Sequence, residues 1–165
     1  MKIDDLIQKA EVALKAFIQP VPIVEIASFR KEEVVDDLRV DFTIRMNTPD
    51  GEKIVYVEAK SNGQPRFARE AINKLALITQ KIPGSYGVFV APYTSPASAQ
   101  MCRDARIGYV DLAGNCFINF DRIFISIEGK PNPYPQNRDL RTIFSPRASR
   151  ILRVLVNDPF LAWKV

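Results

Sequence analysis

The stretch "IVYVEAKSNGQPRFARE", residues 54–70, places a carboxylate and an ammonium two residues apart where a run of β-forming residues ends. Side chains two apart on a strand share a face, so Glu58 and Lys60 point the same way. Upstream, "LRVDFTIRM" (38–46) alternates like a strand, "NTPDG" (47–51) has turn composition, and "KIVYVEAK" (53–60) reads as the returning strand of a hairpin. With the turn centred near Pro49–Asp50, paired residue numbers sum to about 99 and Asp41 falls opposite Glu58. Directly opposed residues carry Cβ atoms roughly 4.5–5.5 Å apart. Two carboxylates that close repel each other unless a cation lies between them. Oxygen-only ligation suits Mg²⁺ or Mn²⁺. Such an ion sharpens a water into a nucleophile and stabilises charge on a phosphoryl group. Lys60 beside it would orient or deprotonate that water, or neutralise developing charge. The set fits phosphodiester hydrolysis. A strand-end ion pair of little energetic worth fits the same bare string.

Composition removes most other chemistries. Histidine is absent from the 165 residues, which excludes Ser-His-Asp and Cys-His mechanisms and any histidine base. Two cysteines, Cys102 and Cys116, form no CxxC pair, so the usual zinc site is excluded as well. Residues 1–60 carry 9 Lys and Arg against 12 Asp and Glu, whereas residues 61–165 carry 14 against 7. The basic second part points to a polyanion, DNA first. With 47% hydrophobic residues the chain suits one ordinary globular core. No apolar run approaches the ~20 residues that span a bilayer. The start, "MKIDDLIQKAEVALKAF", lacks the basic opening of a signal peptide. A cytoplasmic location without a membrane partner is the expectation.

The elements that must position these residues follow from periodicity. Residues 3–18 form an amphipathic helix, ended by Pro20 and Pro22. "VPIVEIASF" reads equally as a short strand or an extended connection. A helix over 65–82 would bury Phe67, Ala71, Leu75, Ile78 and Ile82, with Arg66, Arg69, Glu70 and Lys74 off that stripe. "YGVFVAP" (86–92) is an apolar strand of the kind covered on both faces. Ser95 and Pro96 open a helix that Gly108 should stop. Strands follow at 108–112, 116–120 and 123–128. The order predicts an α/β domain with a mixed sheet flanked by helices. Residues 129–145 read as a linker or strap, and 146–156 as a helix capped by Ser145.

"VDFTIRM…IVYVEAK" resembles the PD-(D/E)xK, or restriction-endonuclease-like, superfamily, whose αβββαβαβ core has the order read above. The resemblance covers roughly residues 1–128. More closely, "VEAKSNGQPRFAREAINKL", "GVFVAP", "GYVDLAGN" and "SPRASRILRVL" are similar to a group of prokaryotic proteins in which a nuclease-like region precedes a winged helix. It implies that Asp41 and Glu58 are metal-binding acids, that Ala59 offers a carbonyl ligand, and that Lys60 is the motif lysine. It also implies a Mg²⁺-dependent DNA nuclease, or a binding or regulatory module that keeps the fold. Val40 stands where the nominal motif has proline. Residues 146–165 would open the winged helix.

Further residues have two readings each. Gln64 and Arg66 lie at the mouth of the second helix, where N–H groups favour anions, and serve either phosphate contact or capping. Arg69 and Lys74 track a nucleic-acid backbone or form a solvated face. Asp111 and Asn115 in "VDLAGN" read as turn chemistry rather than accessory site residues. Glu11 pairs most simply with Lys15. The helix over 146–156 and "FLAW" would supply a seam for a homodimer.

Overall fold

The computed structural model describes residues 3–35, 37–134 and Arg153. The helix expected over 146–156, the linker beyond Tyr134 and the winged-helix reading lie outside the described residues, Arg153 apart. The element order is α1 (Ile3–Ile18), β1 (Glu25–Val35), β2 (Leu38–Thr48), β3 (Gly51–Ala59), α2 (Pro65–Lys81), β4 (Tyr86–Ala91), α3 (Pro96–Asp104), β5 (Gly108–Asp111), β6 (Cys116–Phe120) and β7 (Ile123–Ile127). This is the αβββαβαβ order with two further strands. All seven strands form one sheet in chain order. β1–β2–β3 are antiparallel, β3–β4–β5 parallel, and β5–β6–β7 antiparallel again.

Each sheet face has its own core. α1 lays Leu6, Ala10, Leu14 and Ile18, four residues apart, against Phe42, Ile44, Val57, Val88 and Val90. On the other face α2 and α3 place Ala71, Leu75, Ile78 and Cys102 over Tyr56, Phe89 and Tyr109. β4 lies between both layers, and all six of its residues are buried. That explains its unbroken apolar sequence.

The ambiguous "VPIVEIASF" resolves as the start of an eleven-residue edge strand, which runs on through the charged "RKEEVV". Its ladder to β2 passes from Lys31↔Phe42 to Glu33↔Val40 without a Glu32–Asp41 pair, and Glu32 adopts φ +53°. β2 changes sides there. Phe42, Ile44 and Met46 belong to the α1 core, but Val40 belongs to the α2 core. The break in alternation falls on Asp41.

Two expectations for the helices are corrected. The buried stripe of α2 is Ala68, Ala71, Ile72, Leu75 and Ile78, with Phe67 and Ile82 only half-buried. α3 opens as expected, with Ser95 Oγ accepting the Ser98 N–H and Pro96 at the first position. It closes at Asp104, and Arg106 takes the left-handed turn at φ +56°. Gly108 does not end the helix but opens β5, where the strand over 108–112 is expected to begin. A Cβ there would lie 2.9 Å from the Tyr86 hydroxyl and 3.0 Å from the Phe117 carbonyl oxygen.

The loop that leaves β3 is pinned by Gly63. It bridges Thr94 in parallel, and its carbonyl accepts the Ser95 N–H at 3.1 Å. A Cβ on Gly63 would sit 1.9 Å from the Tyr93 carbonyl oxygen, so backbone must move to admit it. Gly63→Ala is therefore expected to lower unfolding stability by about 2–3 kcal/mol, in the range for overpacking, measured by urea denaturation. Burial pushes the thiols of Cys102 and Cys116 up from 9.0 to about 12. Both stay protonated in the fold while the unfolded chain loses its thiol protons above 9.0. Stability should thus fall as pH rises from about 9 towards 12. Neither thiol should react with iodoacetamide near pH ~8 until the protein is unfolded, as mass spectrometry of native and denatured samples would show.

Candidate active site at the end of the hairpin

The β2–β3 register is the one read from the turn. Thr48 pairs with Gly51 and Phe42 with Val57, so paired numbers sum to 99. Beyond Phe42 the backbone ladder ends. The next partner is a side chain: Asp41 Oδ2 accepts the Ala59 N–H at 2.6 Å. Asp41 thus lies across from the end of β3, where its carboxylate takes the place of a ladder carbonyl at Ala59, the strand's last residue. Its other oxygen, Oδ1, accepts no hydrogen bond among the described residues. On the other side of β3, the Lys60 N–H continues into the sheet, donating to the Val90 carbonyl at 2.9 Å.

Asp41, Glu58, Ala59 and Lys60 border one pocket of about 320 Å³, together with Ser61, Phe67 and Glu70. Glu58 is 4% exposed. Its Oε1 faces the Lys60 ammonium at 3.2 Å and its Oε2 accepts from Lys74 at 2.6 Å. Lys60 also donates to Glu70 Oε1 at 2.7 Å. A carboxylate so far from water is tolerated only with such partners. Burial pulls the Lys60 pKa down. The hydrogen bond to Glu70 and the charge of Glu58 push it up, and the result lies above the ordinary lysine value. Lys60 is therefore an ammonium at neutral pH. In this arrangement it donates and neutralises.

The structure brings Asp41, Glu58, Ala59 and Lys60 together. It places Lys74 away from the expected solvated face, with its ammonium on Glu58. Arg66 and Arg69 are exposed on α2, and Arg66 leans over the Phe67 ring with its guanidinium carbon 6.0 Å from the centroid. Gln64 is exposed at the α2 N-terminus, makes no side-chain cap, and donates its N–H to Asn62 Oδ1 at 2.9 Å. Asp111 is buried and structural. Its oxygens accept from the Asn115 and Thr94 N–H groups and from the Asn115 side chain, at 2.9–3.0 Å. Glu11 is held by Lys15 at 2.7 Å, with Lys31 at 3.9 Å.

Reading one element at a time misses two members of the cluster, Glu70 and the inward-facing Lys74. A signal for them exists. Glu58 and Lys60 are two apart on a strand, a rise of roughly 6.7 Å. Glu70 and Lys74 are four apart on a helix, a rise of about 6 Å. The two spacings match, and the opposite running directions of β3 and α2 set Lys60 against Glu70 and Glu58 against Lys74. Among the described residues, no three acidic, cysteine or histidine side chains converge as a metal cage. Two carboxylates and a carbonyl do suit Mg²⁺, which keeps several of its waters and uses few protein ligands.

No family model matches the sequence, and no curated relative matches it. Among solved structures the chain is similar to EndoMS in complex with double-stranded DNA, at 20% identity and TM-score 0.43, over 63% of this chain and 44% of that one. It is also similar to a repair endonuclease from Pyrococcus abyssi, at 16% identity and TM-score 0.43, over 62% of this chain and 46% of the other. A third likeness is SfsA of Pyrococcus furiosus in complex with Ca²⁺, at 18% identity and TM-score 0.38, over 76% and 65% of the two chains. The chain thus matches under half the length of the first two. At these scores the likenesses concern the trace of the chain and carry no inference about activity.

Proposed function

We propose that this chain is a metal-dependent nuclease that hydrolyses phosphodiester bonds in DNA, with its chemistry in the pocket at the end of β3. The observation that carries this reading is the convergence of Asp41, Glu58, Ala59 and Lys60 on one pocket. Asp41, through the Oδ1 that accepts no hydrogen bond among the described residues, Glu58 and the Ala59 carbonyl would hold Mg²⁺ or Mn²⁺. In extended backbone the N–H and C=O of a residue face the same neighbour. Since the Ala59 N–H meets Asp41, its carbonyl is offered on that side. When bound, the ion would lower the pKa of a water and stabilise the phosphoryl charge.

The protein's own part is positioning and charge. Lys60, held as an ammonium between Glu58 and Glu70, orients the attacking water and offsets charge on the phosphate. Arg66 and Arg69, exposed on the helix that starts beside the pocket, would bind the flanking backbone. Gln64 adds a polar contact at the mouth of the helix.

A second reading has its own support. Both oxygens of Glu58 are already engaged by lysines, which suits a DNA-binding or regulatory module that keeps the nuclease fold without turnover. Cleavage assays separate the two. Wild-type protein should cut DNA with Mg²⁺ or Mn²⁺ and not with EDTA. Glu58→Ala should abolish cutting by removing a ligand. Lys60→Ala should abolish it while metal binding survives. Wild type that binds DNA but cuts nothing with any metal, and whose variants bind equally well, would establish the second reading.

The flanking arginines make a separate prediction. Replacing Arg66 and Arg69 together by alanine should weaken DNA binding and reduce the slope of log affinity against log salt by about 2, roughly 0.9 for each phosphate no longer neutralised. Fluorescence anisotropy across a salt series would measure it, and unchanged binding at low salt would remove these residues from the interface.

A further inference from the structure

We propose that Lys74 is a cation-competing residue: its ammonium occupies the Glu58 oxygen that a divalent ion would need, and it must leave that oxygen when the ion enters. The proposal rests on the reading of the pocket as a divalent-cation site. Its basis is geometric. Lys74 reaches across from α2 to Glu58 Oε2 at 2.6 Å, the shorter of the two lysine contacts on that carboxylate. Glu58 is buried, so its oxygens have little water to fall back on. The Lys74 side chain keeps 27% exposure, which leaves it an outward path. Lys60 is better anchored, because a second acid, Glu70, holds it at 2.7 Å. Among the described residues Glu58 is the one acid Lys74 touches directly, and Glu70, one helical turn before it, acts on it only through space.

The consequence is a site in which the buried carboxylate is answered without metal. An ion that arrives must displace an ammonium, and among the described residues Lys74 is the one with a single direct acid contact, against two for Lys60. Once displaced, it stands beside the pocket as a free positive charge, next to where a DNA phosphate would approach. Removing its charge should therefore tighten cation binding, the opposite of what damage to the site would do.

The test uses the full chain and Mn²⁺ alone, by titration calorimetry and by the electron paramagnetic resonance signal of free Mn²⁺. Lys74→Met and Lys74→Gln are both made, so that one misfolded variant does not end the experiment, and near-ultraviolet circular dichroism checks the fold. Expected is about tenfold tighter Mn²⁺ binding in both, from removal of one adjacent unit charge. Lys74→Arg should bind as wild type does, and Glu58→Gln should not bind. The tightening should persist at about 0.5 M salt, because a contact on a buried carboxylate is little screened. A tightening that fades with salt would reveal only a through-space field and overturn the proposal. Unchanged or weaker binding in folded Lys74→Met, with wild-type binding still abolished in Glu58→Gln, would overturn it and leave the cation site standing. No Mn²⁺ binding in wild type or either variant would overturn both.

Discussion

A carboxylate cannot be carried into the packed layer between a helix and a sheet unless its charge is answered there, and Glu58 is carried to 4% exposure. Removing one partner of a buried pair generally costs about 3–5 kcal/mol, since a lone charge is left behind. Glu58 has two partners from two elements. Lys60 comes from the strand it ends, and Lys74 from the helix above it. The second contact fixes the rotation of α2, because Lys74 can reach Glu58 only if Ala71, Leu75 and Ile78 face the sheet. The apolar stripe and the ion pair demand the same helix orientation. Agreement of that kind between levels is what makes one arrangement win.

The same constraint explains the shape of the hairpin. If β2 had kept its alternation, Asp41 would have been one more residue of a regular ladder. Instead the Glu32–Asp41 pair is missing, Glu32 turns left-handed, and Val40 joins the opposite core from Phe42. The strand changes sides at Asp41, and this frees its carboxylate to reach the Ala59 N–H. The left-handed residue that faces the break, Glu32, lies on the edge strand, whose outer side has no ladder to spoil. The irregular residue is thus also the one that brings the second acid to the pocket.

Much of this is legible in the sequence, for physical reasons. The hairpin register can be counted because a two-residue turn at Pro49–Asp50 fixes every later pair, and Thr48↔Gly51 through Phe42↔Val57 follow from it. β4 is legible because a strand covered on both faces has no polar position to spare. β1 is not, since "RKEEVV" belongs to an edge whose outer residues satisfy themselves in water; its burial pattern has no regular alternation. The end of α3 is misplaced if glycine is read as the stop, because Arg106 accepts the left-handed conformation and Gly108 is needed beside the Tyr86 ring. Lys74 reads as a surface charge because helical periodicity separates polar from apolar faces but does not say which polar residue borders the sheet. The matched spacing of Glu58 and Lys60 with Glu70 and Lys74 carries that information, and it becomes visible only once two elements are considered together.

The parallel strands put the ends of β3, β4 and β5 on one edge, the edge where open α/β sheets bind ligands. Acids lie at both ends of that edge, and the two ends have opposite fates. Asp111, ending β5, spends both oxygens on Thr94 and Asn115, and Asn115 in turn ties the chain at Lys130. At that end the carboxylate is fully committed to the fold. At the end of β3 the acids of the pocket are Asp41, Glu58 and Glu70, answered by Lys60 and Lys74. Three carboxylates against two ammoniums leave one negative charge in excess. That excess lies on the exposed Glu70, where Arg66 also acts, so without metal the pocket offers a phosphate no net positive charge. On the proposed reading a divalent cation reverses the sign of the pocket, and the backbone of a nucleic acid then has reason to enter it. The charge balance that keeps the fold stable without metal is therefore the same balance that would make productive DNA approach depend on metal.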